Sequence, residues 1–406
     1  MKILIYEPLP DINRGKFIAY FARALIKAGF DVNILLEESL IYTECEQLTP
    51  KGVLHNRVVI AHYFQGLPVS FVKIPKEIYD GVTSENLSVK LSEVCSARFN
   101  FFEDLFATFL PEKIFIWNGG HDYQQDFINY CANIGLKKSL FFAELAWFSQ
   151  KEYFYFDPIG VNGASSISVS KPKPLNSVET RKICNWLEGF NRQLRKLDTI
   201  EKTVLVPLQL ESDTSITEFS PFSTMLDFLN FLDGWLPTEL TVYVRNHPLS
   251  ANNEVLSQMP SRFLLSGDST LYDAIEKAEY VVGINSTVLL ESLALGKKVY
   301  AFGKGVFSSS DAIFTNSELT REFRYYKNNE VERQAFLYDL VFNRQVSFQT
   351  VYECDIQKLM AHLPFDVELN HNNMRLAAYN PNFFDKLLGR IFYYLFFMKK
   401  RVKEWI

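Results

Sequence analysis

Redox and metal-binding signatures are missing from this sequence. None of its five cysteines (Cys45, Cys95, Cys131, Cys184 and Cys354) forms a CxxC pair, their number is odd, and no secretory signal precedes the first strand. Buried, reduced thiols in a cytoplasmic protein are expected from that pattern, not a disulfide scaffold. The six histidines show neither HxxxH nor HExxH spacing, and no DxD carboxylate motif occurs, so no metal is expected. No uninterrupted apolar run reaches the roughly 18 residues needed to span a bilayer, which predicts a soluble chain, peripheral to a membrane at most. An excess of positive charge is also absent. The net charge of −5 argues against a general nucleic-acid binder but leaves room for a local basic pocket around one anionic ligand.

What is present is ample material for packed cores. The 406 residues favour two domains, or three at most, and 48% of them are hydrophobic. Aromatics make up 15%, led by 36 Phe, so aromatic-rich cores are expected. The chain opens as strand, helix, strand: Lys2–Tyr6, then Phe17, Phe21, Ala24, Leu25 and Ala28 at helical spacing, a stop at Gly29, and Asp31–Leu36. No GxGxxG follows the first strand, so a bound dinucleotide is not indicated. A helix near Ser92–Leu110 and a strand Lys113–Trp117 lead to Asn118-Gly119-Gly120. A helix near Gln124–Ile134 stops at Gly135, and a strand near Ser139–Phe142 leads to Glu144. Ligands of open α/β sheets bind beyond the carboxyl ends of strands, which singles out Asn118, Gly119, Gly120 and Glu144.

Ser170-Lys-Pro-Lys-Pro-Leu-Asn176 reads as a linker, because its prolines bar a regular helix. An amphipathic helix over roughly Val178–Leu197 follows, and a second α/β series starts at Thr203–Pro207. Its later strands are expected at Leu240–Val244, Phe263–Leu265, Tyr280–Val282 and Lys298–Phe302. The predicted division is residues 1–170, residues 176–360 and a C-terminal helical segment, 361–406. In that last segment Ile391–Met398 is an aromatic run followed by Lys399, Lys400, Arg401 and Lys403. Such a pattern suits a helix at a membrane interface, and equally a terminal helix packing back on the first domain.

The second half carries the strongest chemical signal. Arg245, His247 and Pro248 end a predicted strand; Gly283-Ile-Asn285-Ser286-Thr287 then passes from strand to helix, with Glu291 about one turn further on. A helix N-terminus with hydroxyls binds phosphate through free N–H groups and the helix dipole. Ser286-Thr287 alone is also a simple helix cap, and His247 alone an ordinary loop histidine. Taken together, Arg245, His247, Ser286, Thr287 and the helix N–H groups are candidates to neutralise a leaving phosphate, Asn285 in the same turn to contact the donor, and Glu291 to hold ribose hydroxyls. Gly267 and Asp268 lie in a loop suited to a base, and Lys304 can bring a cation or be a solvated turn lysine. Asp213, in Asp-Thr-Ser, reads by itself as a helix N-cap.

Val206-Pro-Leu-Gln209-Leu-Glu-Ser-Asp213, the His247-Pro248 pair and Gly283-Ile-Asn-Ser-Thr-Val-x-x-Glu291, with Trp117–Gly120, Glu144 and Phe156–Asn162 upstream, resemble the capsule polysaccharide biosynthesis family. That family includes retaining β-Kdo transferases, and the resemblance is greatest to the module that terminates certain O-antigens. It spans roughly Lys113–Gly305. Each piece alone is weak; the set is specific.

The resemblance implies an α/β, GT-B architecture: two Rossmann-like domains facing a central cleft, with C-terminal helices, the first on the acceptor side and the second binding nucleotide sugar. It further implies CMP-β-Kdo as donor and a glycan acceptor of a bacterial surface polysaccharide. There would be no metal or redox cofactor. Asp213, paired in pattern with Gln209, would be the nucleophile and Glu144 the general base, with Asn118–Gly120 lining the sugar side. The expected location is cytoplasmic, at the inner face of the inner membrane if the C-terminal helix touches lipid. A GT-B transferase using CMP-sialic acid or a UDP-sugar is the enzyme alternative. A non-catalytic glycan- or nucleotide-binding module is the other.

Overall fold

The computed structural model describes residues 1–8, 10–37, 70–74, 87–192, 197–250, 254–326 and 329–365. The chain divides into two compact units, each built on one sheet.

In the first unit the order is β1 (Lys2–Tyr6), α1 (Ile12–Lys27), β2 (Asp31–Glu37), β3 (Ser70–Ile74) and α2 (Leu87–Thr108). There follow β4 (Lys113–Trp117), α3 (Asp122–Asn133), β5 (Leu140–Leu145) and β6 (Tyr153–Asp157). Asp11 caps α1, its carboxylate accepting from the Arg14 N–H at 2.8 Å. Gly29 and Gly135, the two expected helix stops, sit at φ +91° and +82°. Each closes its helix with the paired turn bonds that need a left-handed residue, such as Phe30 N–H to Leu25 O at 3.1 Å and Leu136 N–H to Cys131 O at 2.7 Å.

The second unit contains α4 (Ser177–Arg192), β7 (Thr203–Pro207), α5 (Thr214–Phe219), α6 (Met225–Trp235), β8 (Thr241–Arg245) and α7 (Glu254–Gln258). It continues with β9 (Phe263–Leu265), α8 (Leu271–Lys277), β10 (Tyr280–Gly283), α9 (Thr287–Ala294), β11 (Lys298–Ala301), β12 (Phe314–Thr315) and α10 (Glu330–Tyr338). The chain then returns through β13 (Gln345–Ser347), α11 (Phe348–Tyr352) and α12 (Ile356–Met360).

Strand order in the second sheet is β12-β11-β10-β7-β8-β9, parallel throughout. Numbered from its own first strand this is 3-2-1-4-5-6 read from the β9 edge, the doubly wound Rossmann order. The first sheet runs β13-β6-β5-β4-β1-β2-β3 and repeats the 3-2-1-4-5 core, with β6 antiparallel to β5. Both Rossmann-like halves expected from the sequence are therefore present. In each, the first and fourth strands are neighbours, and the crevice for ligand opens beyond their carboxyl ends. β6 is a strand the sequence reading left unassigned.

Phenylalanines fill the cores. Phe17 on α1 meets Trp117 and Phe154 edge-on, with ring centroids 5.0 and 4.9 Å apart. In the second unit Trp235 stands edge-on to Phe302 at 4.8 Å. Such pairs add about 0.5–1.5 kcal/mol each beyond the burial of their area. Rings thus pack into the cores of both units.

The main divisions between units fall at Pro158–Ile159 and Gln345–Val346, with Trp147–Gln150 also grouped in the second unit; the sequence had suggested 170 and 360. Residues 162–164 and 166–169 form short turns that pack in the second unit; the Ser309 hydroxyl donates to Ser170 O at 2.7 Å. Val351, Leu359, Met360 and Leu363 enter the first unit's core, so the chain after β13 packs back on that unit. The aromatic and basic segment 383–406 lies outside the described residues. Among the described residues no helix is long and apolar enough to cross a membrane.

Candidate active site

At the switch point of the second sheet, the chain leaves β7 into Leu208-Gln209 and β10 into Ile284-Asn285. Gln209 and Asn285 meet there in a reciprocal pair. Gln209 Nε2 donates to Asn285 Oδ1 at 3.0 Å, and the Asn285 N–H donates to Gln209 Oε1 at 3.2 Å. Asn285 Nδ2 reaches two further carbonyls, Ser215 O at 2.6 Å and Lys304 O at 3.3 Å. One side chain thus ties together the loops after β7, β10 and β11. The contact leaves no room for bulk: a Cβ on Gly303 would stand 2.7 Å from Ile284 Cγ2 and 3.0 Å from Asn285 Nδ2.

Two helix starts are held at this junction. Asp213 caps α5, its Oδ1 accepting from the Ser215 N–H and hydroxyl, both at 2.8 Å. It is exposed, and both bonds fall on Oδ1. Ser286 caps α9, accepting from the Val288 N–H at 3.2 Å. Among the described residues the N–H groups of Ser286 and Thr287 meet no acceptor. An anion near them would find two free donors, the Thr287 hydroxyl and the positive end of an eight-residue helix.

Arg245 ends β8 and donates to Asp268 O at 2.8 Å, fixing the loop after β9. The Asp268 carboxylate is turned inward to Lys277 and to the Ser266 hydroxyl, so this loop offers backbone and not that side chain. His247 accepts the Leu249 N–H at Nδ1, 3.2 Å away. An N–H can only donate, so this contact engages Nδ1 as acceptor and leaves Nε2–H as the ring's donor. Pro248, Gly267 and the Lys304 side chain are exposed at the same end of the sheet.

Glu291, half-buried on α9, is hydrogen-bonded to Tyr272 of α8. Burial pushes its carboxyl up to about 7 against the opposing pull of that bond. Burial and the adjacent Glu291 push the Tyr272 phenol up in turn. Tyr272 was not singled out by the sequence; its place on the first turn of a short helix gives no pattern that would have marked it.

In the first unit Asn118, Gly119 and Glu144 converge. Asn118 Nδ2 donates to Glu144 Oε2, and the Leu145 N–H donates to Glu144 Oε1 at 2.8 Å. Asn118 and Gly119 are both left-handed, φ +64° and +98°. A side chain at Gly119 would be strained, since the backbone there is left-handed and a Cβ would sit 3.1 Å from the Phe142 ring. Unlike the turn after β10, this loop has all its amides engaged. Asn118 N–H donates to Ala143 O at 2.8 Å and Gly120 N–H to Asn118 Oδ1 at 2.8 Å, while Gly119 and His121 N–H share Gln124 Oε1 at 3.1 and 3.2 Å. It is not an anion-binding nest. Its recognition groups are side chains, Asn118 and Glu144 foremost.

Behind it lies a cluster that the sequence reading missed. Glu7 and Gln124 are fully buried, and Gln124 Nε2 donates to Glu7 Oε2 at 2.9 Å. Tyr123 Oη (3.1 Å) and Arg14 (3.3 Å) complete the Glu7 carboxylate. Burial pushes Glu7 up to about 7, with Arg14 opposing. A polar residue directly after the apolar run of β1 was the available signal, because it falls at a strand's carboxyl end. No group of three or more metal-ligating side chains occurs among the described residues.

Residues 185–349 match the model of a family described as capsule polysaccharide biosynthesis protein. A curated relative, Protein FixF of Sinorhizobium fredii, is 28% identical over 182 residues, 41% of this chain and 43% of that protein. The chain thus spans less than half the length of the curated relative it matches. Two solved structures from Thermosulfurimonas dismutans KpsC are also similar. Its β-Kdo 2,7 transferase is 19% identical, covering 68% of this chain and 98% of that one, with a TM-score of 0.44. Its β-Kdo 2,4 transferase is 12% identical, covering 70% and 91%, with a TM-score of 0.39. The family that the motifs resemble is thus the family whose model the chain matches from residue 185 to 349, the stretch holding Gln209, Asp213, Asn285 and the open N-terminus of α9.

Proposed function

We propose that the chain is a retaining glycosyltransferase that moves Kdo from CMP-β-Kdo to a glycan acceptor of a bacterial surface polysaccharide. The observation that carries the reading is the Asn285 junction, which ties α5, the helix capped by Asp213, to the turn that opens α9 with two free amides. A nucleophile and a phosphate site on one rigid hub are what displacement of a glycosyl phosphate requires. The donor and the retained configuration are what the motif resemblance implies.

In the first step Asp213 Oδ2 attacks the anomeric carbon of Kdo. The bond from that carbon to the CMP phosphate oxygen breaks, and CMP leaves with the electron pair. Ser286, Thr287 and their N–H groups, with Arg245 and His247, stabilise the charge gathering on the phosphate. Glu291 and Tyr272 hold the ribose side, and the Gly267–Asp268 backbone the base. In the second step Glu144 takes the proton of an acceptor hydroxyl, whose oxygen displaces Asp213 from the same carbon. Two inversions give net retention. Asn118, with Gly119 and Gly120 shaping its loop, orients Glu144.

CMP release from CMP-Kdo, CMP-sialic acid and UDP-hexoses, each with and without EDTA, tests the reading. Turnover of CMP-Kdo alone, insensitive to EDTA, is expected. Turnover of another donor would overturn the sugar assignment, and loss restored only by added metal would overturn the phosphate site. No turnover of any donor favours a binding module.

A further inference from the structure

Burying a carboxylate costs several kcal/mol unless it is fully paired, and an apolar residue after β1 would avoid that cost. Glu7 is nonetheless wholly buried, at the switch point between β1 and β4. Its bonds lead to one place. Glu7 Oε2 accepts from Gln124 Nε2, which also donates to Trp117 O at 2.6 Å. With its nitrogen held by two acceptors, the Gln124 amide must turn its oxygen to the loop, where it accepts from Gly119 and His121. That loop begins with Asn118, whose amide donates to Glu144.

We infer that Glu7 and Gln124 are positioning residues for the Asn118–Glu144 pair, acting through the left-handed turn that carries Asn118. The inference rests on the reading of Glu144 as the base toward the acceptor. A carboxylate at position 7 sets which way the Gln124 amide faces; the amide sets the turn; the turn aims Asn118 at Glu144. Disturbing Glu7 or Gln124 therefore impairs transfer to acceptor while sparing the donor half-reaction, whose residues belong to the second unit.

Four variants test this: Glu144→Gln, Gln124→Met, Glu7→Leu and Glu7→Gln. Each is assayed for the first-turnover burst of CMP release, one per enzyme, from CMP-Kdo without acceptor, and for transfer to the best acceptor in a panel of aryl monosaccharide glycosides. Gln124→Met and Glu7→Leu are expected to lower kcat for transfer by about tenfold or more, with acceptor-free CMP release within about twofold of wild type. Glu7→Gln is expected to recover most of the transfer, because its carbonyl oxygen still accepts from Gln124. Parallel losses in both assays would mean a merely structural role and overturn the inference. Loss in Glu144→Gln alone would overturn positioning and leave the base reading standing. Wild-type transfer by Glu144→Gln would overturn both. Amide hydrogen exchange needs no substrate and covers a Glu7→Leu chain that fails to fold. Gln124→Met is expected to speed exchange at residues 119–121 and not at 285–288; unchanged protection at 119–121 would contradict the inference.

Discussion

Gln209 and Asn285 exchange two hydrogen bonds, at 3.0 and 3.2 Å, across the switch point of the second sheet. Two amides paired this way fix each other's orientation, and the remaining donor of Asn285 is then free to hold Ser215 O and Lys304 O. Coupling of this kind is measurable. Gln209→Ala and Asn285→Ala are each expected to cost about 1–2 kcal/mol of stability, with the double variant costing less than the sum by about 0.5 kcal/mol or more. Urea unfolding of the four proteins checks it, and strict additivity would show that the two side chains do not act as a unit.

Gly303 allows that hub to close. A methyl group there would press on Ile284, Asn285 and Phe219 O at 2.7–3.0 Å. Gly303→Ala is expected to destabilise by about 1–3 kcal/mol and to lower CMP affinity, because relief requires moving Asn285. Calorimetric titration with CMP, alongside thermal unfolding, reads both effects. Unaltered stability and binding would show that the loop after β11 shifts without carrying the hub.

Glu291 makes stability depend on pH. Its folded pKa of about 7 lies above the ordinary 4.5, so the folded chain binds the extra proton between those values. The sign follows from linkage: stability is highest below about 4.5, falls as pH rises toward 7, and is level with respect to this group above that. Glu291→Gln removes the loss. Since the group is half-buried and partly screened, the variant should gain about 1–2 kcal/mol relative to wild type on going from pH 4.5 to 8. Glu7 titrates in the same range in both proteins and cancels in the difference. Urea midpoints at the two pH values give the answer, and a constant gap would mean that Glu291 is not held neutral by burial.

Much of this architecture was legible in the residues, for reasons that can be named. Short apolar runs such as Lys2–Tyr6, Thr203–Pro207 and Tyr280–Val282 became strands because nothing but a two-sided sheet buries them. Gly29, Gly135, Asp213 and Ser286 marked helix ends because their backbone or side chain does what only a few residue types do. What escaped was non-local. β6 was left unassigned because Tyr153–Asp157 follows β5 too closely to suggest a βαβ step. The edge strand β13 joins the first sheet from about 190 residues beyond β6, which no local pattern announces. The Glu7–Gln124 bond joins residues 117 apart, and the reach from Asn285 to Ser215 spans 70. The sequence marked the strand ends that bear chemistry; it did not say which side chains would hold them.

His247 offers a separate check on the phosphate site. With Nδ1 engaged by the Leu249 N–H, its donor is Nε2. His247→Ala is expected to raise the donor KM and lower kcat, with kcat/KM down about ten- to a hundredfold, the scale of one lost donor to developing charge. Steady-state CMP release measures it, and unchanged kinetics would remove His247 from the site.

The central claim is that Asp213, the exposed cap of α5, becomes bonded to the sugar. Intact-protein mass spectrometry after incubation with freshly generated CMP-Kdo, on wild type and Asp213→Asn, tests it most directly. The account predicts a gain of one Kdo unit on wild type alone, with the adduct mapping to Asp213. CMP release and glycan transfer undiminished in Asp213→Asn, or an adduct on another residue, would contradict it.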